Sequence, residues 1–154
     1  YLNPEYDPQG SGYQITQALL AIGSGGIFGV GLGQSRQKFN YLPEPVTDSI
    51  FAVLGEEFGL VGALVVIALF LFVAWRGLVI ASRAPDQFGR LVAVGIVSWI
   101  VFQALINMSA ISGLIPLTGI PLPFISYGGT SLAVLLAAVG ILLNISKHST
   151  MKGR

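Results

Sequence analysis

The chain has 154 residues, of which 53% are hydrophobic and only 10% charged. Soluble domains carry about 25% charged residues, so too few charges are present here to coat a water-facing surface, and a membrane protein is the first reading. A net charge of +1 argues against a nucleic-acid partner, and the absence of cysteine excludes disulfides, thiolate metal sites and a cysteine nucleophile.

The chain opens on Tyr1 without a charged-then-apolar leader, which suggests a piece of something longer. The stretch "YQITQALLAIG", residues 13–23, places Ile15, Leu19 and Ile22 on one side. It is too short to span a bilayer and fits an interfacial or re-entrant helix. Next comes "GSGGIFGVGLG", residues 23–33, with six glycines. No Lys-Ser/Thr follows it, so it is not a phosphate loop. Its expected role is tight turning and close backbone packing.

The stretch "YLPEPVTDSIFAVLGEEFG", residues 41–59, then gathers Glu44, Asp48, Glu56 and Glu57 without a basic residue. Asp48 precedes an apolar helical stretch, where the bland role is a helix N-cap. Glu56 and Glu57 read as a solvated turn at the membrane surface, and Glu44, between Pro43 and Pro45, as a loop charge. A glycosidase-like acid pair of Asp48 and Glu56 is disfavoured. Eight residues along one helix rise about 12 Å, against about 5–9.5 Å for paired glycosidase carboxylates.

Phe58 to Trp75 carries no charge, and neither does the longer run from Leu91 to Ser146. The second run is interrupted by "SGLIPLTGIPLPFISYGG", residues 112–129, whose three prolines and four glycines cannot continue a helix. It therefore reads as two spans joined by an uncharged loop that dips toward the bilayer against protein. Arg76, Arg83 and Arg90 lie in the connection 76–90, and Lys147, Lys152 and Arg154 in the tail. The positive-inside rule makes both cytoplasmic. In the second of the three spans Trp99, Gln103 and Asn107 recur every four residues and share a face. Their bland role is hydrogen bonding between helices. Arg36 and Lys38 are the only bases on the outer side, and they suit an anionic headgroup.

These motifs resemble the SEDS family of bacterial cell-wall proteins, which includes FtsW, RodA and SpoVE. "NPEYDPQGSGYQ", "AIGSGGIFGVGLGQSRQKFNYLPEP", "TDSIFAVLGEEFGLVG" and "GLIPLTGIPLPFISYGGTS" follow one another in the family's order. The second of these is similar to the FtsW/SpoVE branch in particular. Val46, Ser49 and Thr118 depart from the His, Phe and Lys that many or some relatives place there.

The resemblance implies an all-α integral membrane fold, part of a bundle of about ten spans. Residues 1–57 would be an extracytoplasmic loop region with a short interfacial helix. Three transmembrane helices would follow at about 58–75, 91–111 and 129–146, with an outer proline-rich loop at 112–128, and residues 147–154 would be a cytoplasmic tail. It implies a peptidoglycan glycosyltransferase of the bacterial plasma membrane that polymerises lipid II. Class B penicillin-binding transpeptidases and other divisome proteins would be its partners. Asp48 matches the family's essential aspartate. Arg36, Lys38, Glu44, Gln103, Asn107 and Ser126 are candidate substrate contacts. No metal ligands are assigned and the cofactor is left open, with a divalent cation such as Mg²⁺ one way to neutralise a leaving diphosphate. The rival readings are a lipid II flippase that uses the polar face of Trp99, Gln103 and Asn107, and a non-catalytic scaffold.

Overall fold

The computed structural model describes residues 11–34 and 48–151, and within these the regular structure is entirely helical. Helix α1 spans Ser11–Gly25, α2 Ile50–Ser82, α3 Gln87–Ile111 and α4 Gly129–Met151. The last three are long and apolar enough to cross a membrane. The apolar run expected as a helix at about 58–75 lies within α2, which a break at Gly59 divides. The segment after the break continues to Ser82, and a further helical stretch from Ile50 precedes it, in the part read as outer loop.

At 33 residues, α2 would be about 50 Å long if straight, well beyond a hydrocarbon core of about 30 Å. It is not straight. Gly59 sits at φ 66° and ψ −160°, which breaks the helix. In an unbroken helix the Leu60 and Val61 amides would donate to the carbonyls of Glu56 and Glu57. Here they donate to the carbonyls of Gly26 and Ile27, at 2.9 and 3.2 Å. The carbonyls of Glu56 and Glu57 accept instead from the amides of Val30 and Gly31, at 2.9 and 3.1 Å. The glycine-rich segment is inserted into the break, and each freed backbone group finds a partner there.

Only glycine permits this approach. A Cβ on Gly29 would strike the carbonyl of Glu57, and one on Gly59 would strike the amide of Gly29. Both residues also hold positive φ, at 79° and 66°. This is the close packing expected of the glycine run.

The same insertion corrects the reading of the acidic pair. Glu56 is 3% exposed and Glu57 8%, so neither lies in a solvated turn. They are buried because the helix starts before them and the glycine segment lies against it.

Two apolar clusters hold the described residues together. One joins α1, α2 and α3 through Ala18, Ala21, Ala52, Phe70, Ile100 and Ala104. The other lies toward the α2–α3 connection and packs Ala81, Ala93, Val97 and Leu142. Small residues are prominent in both, as expected where helices gain contact by close approach rather than by expelling water. Leu64, Leu71, Phe72, Phe102 and Leu136 point outward and are exposed, an apolar collar suited to lipid or further helices. Toward the α2–α3 end Arg76 lies 5.8 Å from the centre of the Trp75 ring, the kind of aromatic and cationic pairing found at a membrane–water interface.

Candidate active site

Asp48 lies in the turn that leads into α2. The N-cap of that helix is Ser49, and its side chain makes no capping bond. The N-cap role expected for Asp48 is therefore displaced by one residue. Ser49 is completely buried, and its hydroxyl accepts a bond of 3.1 Å from the side-chain amide of Gln14 on α1. The same amide nitrogen lies 3.5 Å from Oδ2 of Asp48. The short helix α1 thus reaches the acidic turn with one neutral donor.

A second amide arrives from the other side. Asn107, near the end of α3 and 2% exposed, donates through Nδ2 to the backbone carbonyl of Asp48 at 2.8 Å and to that of Ile120 at 2.7 Å. One turn earlier on α3, Gln103 donates to the carbonyl of Pro121 at 2.9 Å. Both amides, expected as substrate contacts, hold loop backbone. Trp99, expected on the same face, is 43% exposed.

These bonds explain how an irregular uncharged loop is held against the helices. Backbone polar groups away from water need partners. Pro121 and Pro123 have no amide hydrogen, so the segment 121–123 has one donor, that of Leu122. Oγ of Ser126 accepts it at 2.7 Å, and the Ser126 amide donates back to the Leu122 carbonyl at 3.0 Å. The third candidate contact in this region, Ser126, therefore also closes the loop on itself. Between these two residues Phe124 holds φ 65°, which is strained for a bulky side chain. Leu122 is 1% exposed and anchors the loop in the core.

Arg36, Lys38 and Glu44 lie outside the described residues. Among the described residues no three His, Cys, Asp or Glu side chains come together as a metal site. A cavity of about 660 Å³ opens at the opposite end of the helices, beside Pro85, Gln87 and Arg90, and contains none of the candidate residues.

Among the described residues, the arrangement offers the Asp48 carboxylate beside a neutral amide, at the helix end shared with an ordered proline-rich loop. Gln14 is the residue that the sequence did not single out. Its one signal is its place in "NPEYDPQGSGYQ", the first of the four motifs that carry the resemblance.

A family profile described as "Cell cycle protein", covering FtsW, RodA and SpoVE, matches residues 1–151. This chain belongs to that family. Within it, similar relatives place the chain in the FtsW/SpoVE branch. Stage V sporulation protein E of Bacillus subtilis is 60% identical over 149 residues, which is 97% of this chain and 41% of that protein. A protein of Geobacter metallireducens named probable peptidoglycan glycosyltransferase FtsW is 54% identical over 153 residues, 99% of this chain and 40% of its own length. The chain thus spans about two-fifths of the curated relatives it matches.

Among solved structures, a chain described under "Structural coordination of polymerization and crosslinking by a peptidoglycan synthase complex" superposes with a TM-score of 0.79. It is 28% identical, over 96% of this chain and 40% of its own. An aspartate-to-alanine mutant of the Thermus thermophilus rod shape determining protein RodA superposes with a TM-score of 0.65. It is 34% identical, over 84% of this chain and 39% of its own. The family expected from the four motifs is therefore the family found, and its members work in cell-wall synthesis.

Proposed function

We propose that this chain is part of a peptidoglycan glycosyltransferase of the bacterial plasma membrane, which polymerises lipid II with Asp48 as general base. The observation that carries the reading is the position of Asp48, at the head of α2 and braced by amides from α1 and α3. A relative 54% identical and named as a probable peptidoglycan glycosyltransferase supports the reaction class.

A sugar hydroxyl is a weak nucleophile. As the GlcNAc 4-oxygen bonds to the MurNAc anomeric carbon, its proton passes to the Asp48 carboxylate. The bond from that carbon to the diphosphate oxygen breaks, and undecaprenyl diphosphate departs with the electron pair. A diphosphate leaves as an anion, so it needs neutralising charge and not a protonating acid. One carboxylate then suffices. Arg36 and Lys38 are proposed to supply that charge, with a divalent cation such as Mg²⁺ as the alternative source.

Lipid II and the membrane are the proposed partners, together with a class B penicillin-binding transpeptidase and other divisome proteins. The structural neighbour belongs to a complex that coordinates polymerisation with crosslinking, which supports the transpeptidase as a partner.

The test is glycan-chain formation from lipid II by the full-length protein carrying Asp48→Asn. Loss of polymer with normal membrane insertion is the expected result. Polymer of near-normal length and yield would remove Asp48 as the base and reopen the reading as a lipid transporter.

A further inference from the structure

Asn107 has chemistry that packing does not explain. It is buried, and its nitrogen reaches two carbonyl oxygens from segments 59 and 13 residues away in sequence. Two carbonyls at 2.8 and 2.7 Å require the nitrogen, not the oxygen, of the amide to face them. Oδ1 is then turned into the interior, where it has no hydrogen-bond partner among the described residues. A buried unpaired acceptor is unfavourable. A leucine of similar volume would avoid it but would leave both carbonyls without this donor.

We infer that Asn107 is a positioning residue for Asp48: it clamps the Asp48 carbonyl to the proline-rich loop at Ile120 and so aims the carboxylate. Fixing the carbonyl restricts the ψ torsion of Asp48, and the carboxylate leaves from the adjacent Cα. Ser49 follows at once, buried and bonded to Gln14, so the turn is held from α1 as well as from α3. The loop side of the clamp is stiff. Gln103 holds the next carbonyl, that of Pro121, and Ser126 closes the turn after it. Asp48 is thereby referenced to the loop 112–128 as well as to its own helix. A base displaced by about 1 Å loses about a hundredfold in rate, so a clamp of this kind acts on the chemical step more than on binding.

The inference rests on the reading of Asp48 as general base, and the experiment separates the two. Initial rates of polymerisation are measured against lipid II concentration for full-length Asn107→Leu, Asp48→Asn, Asp48→Glu and the Asn107→Leu/Asp48→Glu pair, with thermal melting of each. The expected result is a ten- to hundredfold lower kcat for Asn107→Leu with KM within about twofold. In the Asp48→Glu background, where the carboxylate is already displaced by a methylene, the same change is expected to cost less than about threefold. Should Asn107→Leu fail to accumulate, Asn107→Ser keeps a small donor at the position and is expected to show the same kcat-specific loss at reduced size. An equal factor in both backgrounds, a change confined to KM, or a rate that falls only with the melting temperature would overturn the positioning role and leave Asp48 as the base. Full polymerisation by Asp48→Asn would instead overturn the reading of Asp48, and the clamp with it.

Discussion

Asp48 and Asp86 stand at the heads of successive helices and do different things there. Asp86 is the N-cap of α3, with extended backbone at φ −139° and ψ 161°, and its carboxylate accepts from the Gly89 amide at 3.0 Å. At the head of α2 the cap position belongs to Ser49, without a side-chain cap bond. The neighbouring aspartate meets a side chain from another helix, Gln14, and its carbonyl meets Asn107. One carboxylate is bound by the helix it starts, through a contact three residues long. The other is placed by contacts 34 and 59 residues long. An aspartate before an apolar helix is therefore not a cap by default, and its tertiary partners decide whether its charge goes to structure or to chemistry.

The comparison breaks most directly on Asp48→Asn. Removing a general base costs about 10²–10⁴-fold in rate, so polymerisation is expected to fall by at least a hundredfold while the melting temperature stays near wild type. A matching fall in melting temperature would mean that Asp48 is structural, as Asp86 is.

Next in size is the backbone insertion that sets α2 beneath the acidic turn. Gly29→Ala places a Cβ against the Glu57 carbonyl at a residue whose φ is 79°. Strain at positive φ and the clash together are expected to destabilise by about 3 kcal/mol, read as loss of accumulated protein and a lower melting temperature. A tolerated alanine would show that the helix break is held by something other than this insertion.

Arg36→Gln and Lys38→Gln sharpen the chemical side. If they bind the diphosphate, each charge-assisted contact is worth about 1.5–3 kcal/mol, or about ten- to a hundredfold in kcat/KM. Unchanged dependence on lipid II concentration for both variants would leave them as solvated charges.

Smallest is Asp86→Ala. Loss of an N-cap costs about 1 kcal/mol, visible in chemical denaturation, with polymerisation retained. A large loss of activity from this variant would erase the contrast between the two aspartates.

Much of the architecture was legible because it depends on composition over long windows. The uncharged runs at 58–75 and 91–146 and the prolines of 112–129 mark three apolar helices and one irregular loop, whatever surrounds them. The family was legible for a related reason, since four motifs in order survive any uncertainty about contacts. The roles of Glu56, Glu57, Gln103 and Asn107 were not. Each depends on which distant backbone arrives beside it, and a window of sequence contains no such distance.

By itself, then, the sequence determined that this chain is helical, apolar and interrupted at its proline-rich loop, because hydrophobic length and missing amide hydrogens are properties of the residues alone. Only the tertiary structure decided that two glutamates are buried beside an inserted glycine segment, that Ser49 takes the cap position from Asp48, and that two amides on α3 hold a loop. Hydrogen bonds act over about 3 Å, and the partners they join here lie up to 59 residues apart. Folding alone brings them within reach.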